Sequence, residues 1–87
     1  MWVFYYRMPH IYTVETEEEN IALTKLGATI RAAREKNSKF SQSKLAIEIG
    51  LSENQIGRIE RGESNPTFRT LYKIAKVLDL NIIDFLK

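Results

Sequence analysis

Cysteine is absent, and the sequence holds a single histidine, His10. Disulfides, thiolate metal sites and cysteine nucleophiles are therefore excluded, and one imidazole cannot assemble a zinc centre. Long apolar runs are missing too, since no stretch approaches the ~18 residues of a membrane-spanning helix. The opening segment, MWVFYYRMPHIY, is apolar and aromatic but lacks both a basic start and a small-residue cleavage site. A secretory signal is not expected, and the cytoplasm is the default compartment. Catalytic sets are equally scarce: there is no Ser/His/Asp arrangement, Gly-rich phosphate loop or His/Glu cluster. The consecutive acids Glu17, Glu18 and Glu19 do not face one another on a helix and read as solvated capping acids. The composition points away from an enzyme, and no cofactor or metal is expected.

What is present is one small domain of 87 residues, with a net charge of +2 that hides an asymmetry. Within residues 1–20, Arg7 stands against Glu15, Glu17, Glu18 and Glu19, a net −3. The other 12 basic and 7 acidic side chains give residues 21–87 a net +5, which suits a polyanionic partner.

The stretch from Gln42 to Arg61, QSKLAIEIGLSENQIGRIER, organises the rest. Leu45, Ala46 and Ile49 make one helical stripe, and Ile56 and Ile59 make another. Between them Gly50 reads as a helix-ending residue at positive φ, and Ser52 as the cap of the next helix. Helices this short are marginal alone, so both must pack on further elements. Two short helices joined by a Gly-containing turn is the helix-turn-helix design.

The set Gln42-Ser-Lys-Leu-Ala46, Gly50-Leu-Ser52, Ile59-Glu-Arg-Gly62 and Asn65-Pro66 resembles the Cro/XRE-type DNA-binding domain of phage repressors, over roughly residues 23–86. The resemblance implies an all-α fold, a compact five-helix bundle. It also implies that the chain has one residue more than its relatives near Asn37 to Lys39. Residues 1–20 would form an N-terminal arm and residues 21–87 the helix-turn-helix domain.

In chain order, Met1 to Val14 favours extended structure by composition, broken at Pro9. Three alternatives stand for it: a strand paired with a second subunit, a flexible arm, or an extension upstream of a start at Met8. Thr16 to Glu19 reads as a capping box opening a helix to about Lys36, with a start nearer Asn20 or Leu23 as the alternative. Leu23, Leu26, Ile30 and Ala33 form its apolar stripe, and Gly27 weakens it by about 1 kcal/mol. Ser41 caps a helix from Gln42 to Ile49, and Ser52 caps one from Glu53 to about Arg61, stopped by Gly62. After the polar loop Gly62 to Pro66, Thr67 caps a fourth helix whose core stripe is Phe68, Leu71, Ile74, Ala75 and Leu78. A last short helix runs from Ile82 to Leu86. Leu80, Ile82, Phe85 and Leu86 are expected to face the core, which leaves Ile83 exposed.

In a helix-turn-helix the second helix enters the major groove, and its N-terminal side chains reach base edges. Matching this chain to the motif places Glu53, Asn54 and Arg58 at base-reading positions, with Gln55 as a further candidate. Asn or Gln pairs with adenine, Arg with guanine, and Glu accepts from cytosine. Gln42, Lys44, Ser52, Arg61, Ser64 and Asn65 are candidates for phosphate contacts. Glu63 departs from the pattern, because relatives often carry Lys or Arg there and a carboxylate would repel phosphate. The resemblance also sets Arg34 opposite Glu60, either as a bidentate bridge or as two exposed charges. The expected function is a sequence-specific transcriptional regulator bound to a palindromic operator on double-stranded DNA as a homodimer. The alternative is an antitoxin, a helix-turn-helix module that holds a toxin protein partner.

Overall fold

A computed structural model describes residues 16–86. The expectations for Met1 to Val14, including strand pairing and the start at Met8, lie outside the described residues. Those described form five helices: α1 (Glu17–Lys36), α2 (Gln42–Ile49), α3 (Glu53–Glu60), α4 (Phe68–Val77) and α5 (Ile82–Phe85). The fold is all-helical, and α1 runs unbroken across the expected arm boundary at residue 20. None of these helices is long and apolar enough to cross a membrane.

Local sequence fixes where each helix starts. The Thr16 hydroxyl accepts the Glu19 N–H at 3.0 Å, and the Glu19 carboxylate accepts the Thr16 N–H at 3.1 Å. This reciprocal box satisfies two donors that the first helical turn would otherwise orphan. Ser41, Ser52, Thr67 and Asn81 cap α2 to α5 in turn. Three helix ends share one closure. Gly50 (φ 79°), Gly62 (φ 75°) and Asp79 (φ 59°) turn left-handed after α2, α3 and α4. The residue after each donates back into the helix: Leu51 to Ala46 O, Glu63 to Arg58 O and Leu80 to Ala75 O, at 2.8–2.9 Å.

The core comprises Ile30 of α1, Leu45, Ala46 and Ile49 of α2, Ile56 and Ile59 of α3, Leu71, Ile74, Ala75 and Leu78 at α4, and Phe85 of α5. Helix α3 is clasped between α2 and α1, while α4 packs on α2 and α5. Four apolar expectations need correction. Phe68 is 62% exposed rather than core. Helical side chains lean toward the N-terminus, so a residue at the first position overhangs the end of its helix. Leu80 and Leu86 are exposed as well. The four-residue α5 has room for one fully inward side chain, Phe85, with Ile82 partly buried beside it. In α1 the buried line is Gly27, Ile30 and Arg34, with Leu23, Leu26 and Ala33 only partly buried. The face of α1 that meets the bundle is thus turned toward a glycine and an arginine.

Candidate nucleic-acid interface

The reason for that turn lies at the C-terminal end of α3. A Cβ placed on Gly27 would stand 2.6 Å from the Glu60 carbonyl oxygen, so only glycine lets α1 and α3 cross this closely. Two turns on, Arg34 Nε donates to Glu60 Oε2 at 2.6 Å and Arg34 Nη2 to Glu60 Oε1 at 3.1 Å. Both residues are buried. Donating to the Glu60 carboxylate raises the Arg34 pKa above its ordinary value, against the lowering by burial. Arg34 Nη1 also reaches the Phe40 carbonyl at 3.3 Å. A third partner arrives from α2, where Gln42 Nε2 donates to Glu60 Oε1 at 2.8 Å. A carboxylate accepts only, so the Gln42 amide must turn its NH2 toward it. Glu60 thereby ties the start of α2 and the last turn of α1 to the end of α3.

The N-terminal half of α3 is open by contrast. Gln42, Ser52, Glu53, Asn54, Gly57 and Arg61 line a depression of about 510 Å³ between the starts of α2 and α3. Gly57 forms its floor, because a Cβ there would lie 3.0 Å from Arg61 Nη1 and 3.7 Å from the Gln42 amide. Gln55 and Arg58 lie on the other flank of α3, around a second depression that includes Ser64. The expected base-reading residues therefore straddle the helix, with Glu53 and Asn54 on one side and Gln55 and Arg58 on the other.

Individual side chains differ in their freedom. Gln55 is committed locally, since its side-chain oxygen accepts the Ser52 N–H at 2.8 Å while Ser52 Oγ accepts the Gln55 N–H at 3.1 Å. Lys44 is exposed in the first turn of α2. Asn65 is not brought to the α3 face, because it shares a cleft with Glu19, Asn20, Ala22 and Leu23 of α1. Arg61 is engaged by Glu63, with Nε and Nη2 donating to the two carboxylate oxygens at 3.1 and 3.2 Å. These hydrogen bonds hold the Glu63 carboxyl below the usual carboxylate range. The Glu63 carbonyl also accepts from Arg58 Nη2 at 3.4 Å. The carboxylate expected to repel phosphate is paired with Arg61.

Sequence comparison decides the family. The helix-turn-helix model HTH_3 matches residues 30–85. The chain belongs to this Cro/XRE-type helix-turn-helix family of DNA-binding transcription regulators. It is 40% identical over 68 residues to the HTH-type transcriptional regulator SutR of Escherichia coli, covering 78% of this chain but 37% of SutR. It is 38% identical over 60 residues to the control protein C.BamHI of Bacillus amyloliquefaciens, covering 69% of this chain and 74% of that protein. The crystal structure of the restriction-modification controller protein C.AhdI from Aeromonas hydrophila superimposes with a TM-score of 0.73 at 29% identity, over 79% of this chain and 99% of that one.

Two residues of this HTH_3 site escape motif reading. Gly57 lies inside α3, where the sequence carries a signal: a mid-helix glycine implies a close packing partner. Glu63 stood out as a departure from the family, but its pairing with Arg61 depends on the Gly62 turn that folds the loop back.

Proposed function

We propose that this protein is a sequence-specific regulator that binds a palindromic operator as a homodimer, with residues 21–87 as the DNA-binding unit. The observation that carries this is the open polar depression at the start of α3, held on a helix whose far end is locked by the Arg34–Glu60–Gln42 network. In this reading Glu53, Asn54 and Arg58 touch base edges, and Gln55 serves chiefly as a cap. The second N–H of the Gln42 amide, Lys44, Ser52, Ser64 and Arg61 meet phosphates, beside the positive end of α2. Asn65 lies off this face, in the cleft beside α1, and is left out of the phosphate set. The likeness to C.AhdI, a restriction-modification controller protein, supports the same kind of role here.

One α3 spans few base pairs, and a two-fold pair doubles the contacts at a spacing of roughly 34 Å. Ile83 (57% exposed) and Leu86 (59%) form an apolar C-terminal surface suited to that contact. Selection from a random duplex pool is expected to return inverted half-sites about one helical turn apart. Sedimentation is expected to give a dimer for the natural chain and a folded monomer for Ile83→Glu. Recovery of single, unpaired half-sites by a monomeric protein would overturn the dimeric reading.

A further inference from the structure

Arg61 and Glu63 are each about half exposed, with side chains 53% accessible, yet they form a two-point fork rather than a loose surface contact. The backbone prepares it. Gly62 turns left-handed, the Glu63 N–H returns to the Arg58 carbonyl at 2.8 Å, and the Glu63 carbonyl accepts from Arg58 Nη2. Glu63 is thus anchored on Arg58 through its main chain and presents its carboxylate to Arg61. Its two oxygens occupy the fork of a guanidinium as two phosphate oxygens would. Arg61 in turn lies over Gly57, at the edge of the depression that Glu53, Asn54 and Gln42 line.

We infer that Glu63 is an internal stand-in for a DNA phosphate, which occupies Arg61 in the free protein and yields it only to a bound duplex. The inference rests on the DNA-binding reading and deepens it. A phosphate that reaches Arg61 must displace a carboxylate already in hydrogen-bonding geometry. The gain from that contact is therefore small on every duplex, and the burden of affinity moves to the base-reading side chains. Glu63 sets specificity without touching a base. It lowers binding to DNA of any sequence and leaves the Glu53 and Asn54 side chains free.

Glu63→Gln keeps the side chain's shape and removes the competing charge. Fluorescence anisotropy on a mixed-sequence duplex, titrated over a range of salt, provides the test. Each phosphate neutralised adds a log–log salt slope of about −0.9, so one fully released arginine is worth up to about eightfold at ~0.1 M salt. The variant is expected to bind more tightly by a factor approaching that, with a slope steeper by about 0.9. In an Arg61→Ala background the same change is expected to have little effect, because nothing is left to release. An unchanged affinity for Glu63→Gln would overturn the inference. So would a gain that persists without Arg61, which would make Glu63 a general negative charge. Failure of the natural chain to bind any duplex would remove the DNA-binding reading itself, a result distinct from either.

Discussion

At its C-terminal end, α3 meets α1 through Gly27 with no room for a methyl group, and Glu60 there accepts hydrogen bonds from two other helices. At its N-terminal end, Glu53 and Asn54 are exposed, and among the described residues no hydrogen bond or ion pair engages their side chains. The helix is eight residues long, so both conditions coexist within little more than two turns. A reading helix must be rigid in position and uncommitted in chemistry. If α3 reads DNA as proposed, it meets both demands by placing its polar anchoring at one end, with Ile56 buried behind the open turn. The anchoring is polar as well as apolar, which gives α3 one preferred rotation about its axis: a rolled helix would strand the Glu60 carboxylate in the interior.

The sharpest way to break that arrangement is to remove one member of the buried pair. Arg34→Ala leaves Glu60 with only the Gln42 amide, and Glu60→Ala leaves an arginine without its carboxylate. Breaking a buried pair by truncating one partner costs about 3–5 kcal/mol, because the survivor stays desolvated and uncompensated. Each single variant is expected to lose stability on that scale in urea denaturation. The double variant is expected to lose clearly less than the sum. Strict additivity would mean that the two side chains are not coupled and that Gly27 and the apolar contacts alone hold α3.

Most of this fold is legible in the sequence because its helix boundaries are written locally. Thr16, Ser41, Ser52 and Thr67 each precede a helix, and Gly50 and Gly62 close two. The rotation of α1 is not legible from apolar periodicity, since two of its three buried positions, Gly27 and Arg34, are not apolar. Their inward placement depends on Glu60, a residue 26 positions away from Arg34. The ends of α4 and α5 mislead for another reason. Phe68, Leu80 and Leu86 satisfy a helical stripe but lie at or beyond helix termini, where none of the described helices covers them. At the candidate interface, residue types and helix position nominate Glu53, Asn54, Gln55 and Arg58, and the family resemblance sets Gln55 below the others. Neither reveals that the Gln55 side chain is absorbed by the cap.

The open end is broken differently. Arg58 is exposed on α3, and its guanidinium makes a long 3.4 Å contact to the Glu63 carbonyl. Arg58→Ala is expected to leave the denaturation midpoint nearly unchanged, since exposed positions of this kind contribute little to stability. On a selected operator it is expected to cost about 1–3 kcal/mol of binding and to relax preference at one base position. Base preferences identical to those of the natural chain would take Arg58 out of the reading set. A large loss of stability would erase the contrast between the two ends of α3.

Gly57 sits between those ends and gives the smallest and most discriminating effect. Glycine inside a helix is less favourable than alanine by about 0.8–1.0 kcal/mol, through its greater freedom in the unfolded chain. At Gly27 that gain is unavailable, because the added methyl would meet the backbone of Glu60. At Gly57 the nearest atom is Arg61 Nη1, 3.0 Å away at the far end of a flexible side chain. The guanidinium has only to shift by a few tenths of an ångström. Gly57→Ala is therefore expected to stabilise the fold by about 0.5–1 kcal/mol, a rise of a few degrees in melting temperature for a domain of this size. Thermal denaturation of the single variant measures it directly. A fall in melting temperature would mean that Arg61 cannot give way, and that the tight packing at the C-terminal end of α3 extends a full turn further toward the interface.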